Sequence, residues 1–213
     1  MACFPQLPLP PAEPTRTRPV LQASGDCVLI DHSSLTLGML MTKQACGEAI
    51  NVPRLVEFLE CDLRAVTRRL VVGSHWLRRE SNAYGDAGYG IAMPQRPGSA
   101  RAALVDSVIS SDVYRAVLQC RQEGSVPGVI VVVTGGGRTG LHPTTFAKVM
   151  DMALHFEWTV VHWMWEACLT SRYNQLLHRY PRRYYQRLLD PLRQVICRAM
   201  SPADLERHDL DDE

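Results

Sequence analysis

Apolar and polar positions fall along the chain in two kinds of block. A short apolar run at 26–30 ends in Asp31, and uninterrupted runs of this kind suit strands buried on both faces of a parallel sheet. Residues 35–42 continue as a short helix. Pro53 stands where a helix begins, with Asn51 as its cap. Leu55, Phe58, Leu59, Leu63 and Val66 then recur at helical spacing, so the pattern predicts an amphipathic helix over 52–67. Residues 69–74 read as a second strand and turn. The stretch 81–90 holds three glycines and two tyrosines and reads as a loop, with 89–93 a short extra strand before Pro94, Pro97 and Gly98 break the chain.

Leu104, Val105, Val108, Ile109, Val113, Val117 and Leu118 form one broad stripe, which predicts a helix over 102–120. The run Val129, Ile130, Val131, Val132, Val133 is the clearest strand, because β-branched side chains suit a pleated surface and crowd a helix. A glycine loop, a helix at about 143–156 and a strand at 158–163 follow. Residues 171–199 read as one or two helices, broken near Pro181 or Pro191. Alternating strands and helices imply a parallel sheet covered on both faces, and right-handed crossovers leave few topologies. The expected fold is α/β, a three-layer α/β/α sandwich with a central, mainly parallel sheet. In such sheets ligands bind outside the carboxyl ends of the strands, which directs attention to Asp31, Gly73 and Ser74, and 134–138.

Composition narrows the class. The chain has 213 residues, 46% hydrophobic and 21% charged, the balance of an ordinary globular domain with enough apolar material for a core. No apolar run approaches the ~18 residues of a membrane span. With 23 Lys+Arg against 22 Asp+Glu, the net charge of +1 excludes a uniformly basic nucleic-acid binder but says nothing of local patches. Six prolines in the first twenty residues predict an extended arm over 1–24. The domain is expected over 25–199. An acidic tail follows at 200–213, with six acidic residues among its last ten. Just before it, the stretch from Arg172 to Arg198 holds seven arginines and a single acid, Asp190, with Tyr173, Tyr180, Tyr184 and Tyr185 interleaved. This stretch reads either as a solvated face or as a surface for phosphate pairing and base stacking. Trp158, Trp163 and Trp165 read as core residues before stacking platforms. The seven cysteines are odd in number and lack a Cys-x-x-Cys pair, which points to buried free thiols and an intracellular, reducing compartment such as cytoplasm or nucleus.

Few residues carry candidate chemistry. Asp31 either caps the next turn through Ser33 or Ser34 or acts as a functional carboxylate. Asp106 lies on an apolar helix stripe, where a charge is costly unless paired or metal-bound. Asp112 follows six residues later and is expected to be solvated if it does not join the same site. Convergent carboxylates suit a hard cation such as Mg²⁺, which prefers oxygen ligands. The loop Thr134, Gly135, Gly136, Gly137, Arg138, Thr139, Gly140 formally matches Gly-x-Gly-x-x-Gly between a strand and a helix. It opens a later strand–helix unit and not the first. It therefore reads as a tight turn before a dinucleotide cradle. The histidines show no ligand spacing and no adjacent nucleophile motif.

The order of these motifs resembles the NYN domains, a PIN-like ribonuclease group. Val28, Leu29, Ile30 and Asp31, followed by His32, Ser33, Ser34 and Leu35, look like their opening strand. Val71, Val72, Gly73 and Ser74 resemble the second strand and turn, Leu104, Val105 and Asp106 with Asp112 resemble the acidic central helix, and 131–137 resembles the strand and Gly-Asp loop. The resemblance covers roughly 26–190 and implies a PIN-like α/β/α fold, an acidic site, a divalent metal and RNA as substrate. It implies Asp31, Asp106 and Asp112 as acidic catalytic positions, with Asp31 and Asp106 holding Mg²⁺. Ser33, Ser34, Thr134, Gly135, Gly136, Gly137 and Arg138 would then meet the substrate. The pattern is incomplete. Ser34 stands where an asparagine is expected, Ala102 and Ala103 where a glutamate is, Gly136 where an aspartate is, and Arg138 at a polar or acidic site.

The leading expectation is therefore an RNA-directed protein of the ribonuclease group, a possible Mg²⁺-dependent endoribonuclease whose hydrolysis is weakened or lost. A non-catalytic RNA- or protein-binding module is the first alternative, and a nucleotide-binding enzyme using 135–140 the second. RNA is the expected partner, with a protein partner or a second copy also open. Nothing in the sequence points to DNA or to a membrane.

Overall fold

The computed structural model describes residues 24–41, 47–73, 78–93, 100–134 and 144–200. The proline-rich arm up to residue 23, the tail from residue 201 and the glycine loop 135–140 lie outside the described residues. The strands are β1 (Asp26–Asp31), β2 (Glu48–Ile50), β3 (Val66–Val72), β4 (Gly90–Ala92), β5 (Val129–Val133), β6 (Thr159–Met164), β7 (Tyr184–Leu188) and β8 (Cys197–Ala199). The helices are α1 (His32–Met41), α2 (Val52–Glu60), α3 (Arg78–Asp86), α4 (Ala100–Glu123), α5 (Thr144–His155), α6 (Ser171–Arg179) and the single turn α7 (Arg193–Ile196).

Six strands form one parallel sheet in the order β4-β3-β1-β5-β6-β7, while β2 and β8 pair antiparallel beside it. The result is a three-layer α/β/α sandwich. Alternate residues of each strand feed two cores. Cys27, Leu29, Ile130, Val132 and Val160 pack under α4, α5 and α6 through Ile109, Val113, Val149 and Met150. Val28, Ile30, Val71, Val131 and Val133 pack under the other layer through Leu35, Met39, Leu55 and Tyr84. This double burial is why the strands read as unbroken apolar runs.

The chain steps outward from β1 to β3 and β4, then returns past β1 to β5 and moves outward to β7. The carboxyl ends of β1 and β5 thus flank the point where the winding reverses, the place where sheets of this kind bind ligands. At the other end of β1, Asp26 ties the sheet together. Its Oδ1 accepts from the Val129 amide at 2.8 Å and its Oδ2 from the Arg64 amide at 2.9 Å.

Three expectations needed correction. The helix expected over 52–67 ends at Glu60, and β3 begins at Val66. Leu63 and Val66 still reach the core, but from a connection and a strand start, so their helical spacing was coincidental. The expected loop at 81–90 is largely α3. This helix is mostly polar and is held by Glu80, whose Oε1 accepts from the Ile50 amide at 3.0 Å and whose Oε2 lies 2.9 Å from His32 Nε2. Polar anchoring leaves little apolar periodicity to read. Finally, 171–199 is not all helix: α6 stops before Pro181, and β7 and β8 follow. Buried Tyr184 faces a core while exposed Tyr185 and Arg187 face outward, the alternation of a strand.

Candidate functional site

The end of β1 sends consecutive side chains to opposite layers. His32 turns towards α3, with Nδ1 3.3 Å from Tyr84 Oη. Asp31 turns the other way and is buried. Its Oδ1 accepts from the Ser34 amide at 2.9 Å, and its Oδ2 accepts from the Ser34 hydroxyl. Asp31 thus does cap the first turn of α1. Burial raises its pKa above the ordinary carboxylate value even against these hydrogen bonds.

Asp106, half-buried on α4, comes to the same place. Its pKa is pushed up to about 7, first by burial and then by the negative charge of Asp31. Tyr173 of α6 closes the group. Burial, followed by the charges of Asp106, Cys168 and Asp31, raises its phenol to about 12. Three elements distant in sequence therefore bring two carboxylates and a neutral phenol to the carboxyl end of the sheet.

Thr134 borders this group. It follows Val133, which pairs with Ile30, so it stands level with Asp31 across the switch point. Its hydroxyl is 2.9 Å from His162 Nε2, and His162 Nδ1 is 2.9 Å from Tyr184 Oη. Tyr173 also meets the His162 ring edge-on, with centroids 4.6 Å apart. Burial lowers the His162 pKa to about 3, so the imidazole is neutral. One nitrogen then donates and the other accepts, which gives a directed buried chain from Thr134 to the edge strand.

Asp112 is not part of the group. Six residues on, it lies about 9 Å further along α4. Arg68 holds it at two points, Nε at 2.9 Å and Nη2 at 2.5 Å, with Arg115 at 3.5 Å. Its charge acts on Cys27, near the start of β1. It is therefore a buried ion-pair residue, neither solvated nor joined with Asp31.

The other expected contact residues divide. Ser34 is committed to Asp31, and the Ser33 amide also bonds to that carboxylate. Gly135, Gly136, Gly137 and Arg138 lie outside the described residues. Sequence reasoning missed Tyr173 and His162 as neighbours of the site. The only signal was His162, a polar residue at a strand position otherwise given to apolar ones, and Thr134 just past the end of β5. Trp158 and Trp165 are fully buried as expected, whereas Trp163 keeps part of its ring exposed. Among the described residues the cysteines are free thiols, and Cys27, Cys120 and Cys168 are buried.

The acidic pair is a candidate seat for a divalent cation. Two mutually repelling carboxylates, one buried and one half-buried, supply hard oxygen donors, and their repulsion is what a dication relieves. The fit is limited to that pair: among the described residues no group of three or more His, Cys, Asp or Glu is placed to hold a metal.

No protein-family model matches the chain. No curated protein matches it either. Among solved structures it is similar to a protein of unknown function from Vibrio parahaemolyticus. The two share 10% identity and a TM-score of 0.53, over 78% of this chain and 93% of the other. That likeness supports the α/β sandwich and carries no activity. Among the described residues, no helix is long and apolar enough to cross a membrane.

Proposed function

We propose that this chain is an RNA-directed protein of the NYN/PIN-like ribonuclease group, with weak metal-dependent phosphodiester hydrolysis. The supporting observation is the convergence of Asp31 and Asp106, from β1 and α4, at the switch point of the sheet. Their carboxylates would hold one Mg²⁺, with waters and substrate phosphate oxygens completing its shell. When bound, the cation supplies Lewis-acid stabilisation of charge developing on a phosphodiester.

The chain's own residues do the rest. Ser34 fixes the Asp31 carboxylate through both of its oxygens. Tyr173, un-ionised at neutral pH, offers a hydroxyl beside the acids without adding charge. Thr134, oriented through neutral His162, places a second polar group level with Asp31. The free thiols suit a reducing compartment.

The test is cleavage of labelled single-stranded RNA by purified full-length protein with Mg²⁺. Activity should be lost with chelator and in the Asp31→Asn, Asp106→Asn double variant. Cleavage unchanged in that variant rejects the reading.

A non-catalytic binding module is the second reading. It is favoured by the two bonds from Ser34 that already occupy Asp31. It predicts RNA binding indifferent to chelator and no Mg²⁺-dependent product at any enzyme concentration.

A further inference from the structure

The arginine- and tyrosine-rich stretch before the tail is not absorbed by the acidic site. The fold splits it between two faces. Tyr184 and Leu188 point into the core under α4, α5 and α6. Tyr185 and Arg187 therefore point to the opposite face of the sheet. There β7 runs beside β6, with Tyr185 paired to Val161 and Arg187 to Trp163. The helices of that layer sit over the other half of the sheet: α1 rests against β1 and β3, α3 against β4, and α2 against α3 and α7.

The β6–β7 half of that face is only partly covered: Val161 and Trp163 pack against the core of that layer yet keep part of their surface exposed, and β7 beside them is bare at Tyr185 and Arg187. Tyr185 is 41% exposed, Arg187 is exposed, and Trp163 and Val161 are each partly exposed. Trp163 thereby differs from Trp158 and Trp165, which are closed off completely. The Tyr185 hydroxyl donates to the Arg182 carbonyl at 2.9 Å, which fixes the ring. Charge follows the same distribution. Arg182 and Arg187 are exposed and form no ion pair with a described residue, while Arg183 has only Glu157 at 3.8 Å.

We propose that this face, carried by Trp163, Tyr185, Arg182 and Arg187, binds single-stranded RNA, with the two rings stacking bases and the arginines pairing phosphates. The inference rests on the RNA-directed reading above and adds the track along which the strand is held. Two aromatic rings on adjacent strands offer neighbouring flat surfaces that accept any base. Guanidinium groups without internal partners are free for phosphate. A protein surface would need only the apolar area. The unneutralised arginines, Arg187 on the edge strand and Arg182 in the turn before it, favour a polyanion.

The test uses full-length protein and a labelled single-stranded oligouridylate in chelator, read by fluorescence anisotropy. Tyr185→Ala and Arg187→Ala should each weaken binding by about tenfold, whereas Tyr185→Phe, which keeps the ring but loses the bond that fixes it, should weaken it less than Tyr185→Ala. Arg187→Ala should also flatten the salt dependence by about one counterion. Thermal melting checks that the variants fold, which their exposure favours. A Tyr185→Ala, Arg187→Ala double variant that binds like wild type overturns the proposal. So does a wild-type protein that binds no single strand, which would leave the face to a protein partner. Cleavage assays on the same samples separate the two readings. Loss of binding without any Mg²⁺-dependent cleavage leaves this face standing and removes the nuclease. Cleavage that needs Asp31 and Asp106 but ignores Tyr185 and Arg187 removes this face alone.

Discussion

The negative charge of Asp31 adds to burial in raising the Asp106 pKa to about 7. One residue ends a central strand and the other sits in a helix on the sheet's face. Their charges meet because the sheet reverses its winding between β1 and β5.

This coupling gives a pH signature of stability. A carboxyl whose folded pKa is raised binds its proton more tightly in the folded state. Its contribution is full below the unfolded pKa of about 4 and is lost as pH rises through about 7. Asp106→Asn removes that loss. The variant should be more stable than wild type at pH 8, by about 1–2 kcal/mol after allowing for solvent screening. The gap should close near pH 4. Chemical denaturation across that range measures it, and a gap independent of pH rejects the assignment.

His162 should show the opposite sign. Its folded pKa is lowered to about 3, so the unfolded chain takes up the proton first. The stability it contributes is present above an unfolded value of about 6.5 and is lost as pH falls below it. In a histidine NMR titration its ring resonances should not move between pH 8 and pH 5. His162→Phe leaves the Thr134 hydroxyl without its partner and should cost about 2–3 kcal/mol.

Asp112 belongs to stability and not to chemistry. Arg68→Ala leaves its carboxylate buried with only the distant Arg115 for charge. The expected loss is about 2 kcal/mol, less than for a fully buried pair because Arg68 is itself part-exposed. RNA binding and cleavage per folded molecule should not change. A selective loss of cleavage in Asp112→Asn with unaltered melting would return this residue to the site.

Gly128→Ala should damage the far end of the sheet. A Cβ at Gly128 would sit 2.8 Å from the Ser24 carbonyl oxygen and 2.9 Å from Asp26 Oδ1. That strains the carboxylate which receives the Val129 amide. A loss of about 1–3 kcal/mol is expected, the usual range for forced overpacking. Urea unfolding measures it, and an unchanged midpoint contradicts the close approach.

What the sequence alone determined is the alternation of elements and the layered fold. Strands buried on both faces must be apolar throughout, and the run 129–133 announces β5 with its observed bounds. A helix that covers one face must carry a stripe, and α4 does. Local pattern failed where burial was not its author. Polar anchoring by Glu80 hid α3, and dense arginine concealed the alternation of β7. The site was legible as separate acids, Asp31 and Asp106, because each breaks an apolar context. Which acids meet was decided only by tertiary structure. Asp112 shares the helix of Asp106, yet it is turned to Arg68 by its position along the axis. Tyr173 and His162 reach the site because β6 and α6 are wound onto the same side of the switch point. Sequence spacing constrains neighbours within one element. Strand order and crossover hand settle which elements become neighbours, and no local run of residues encodes them.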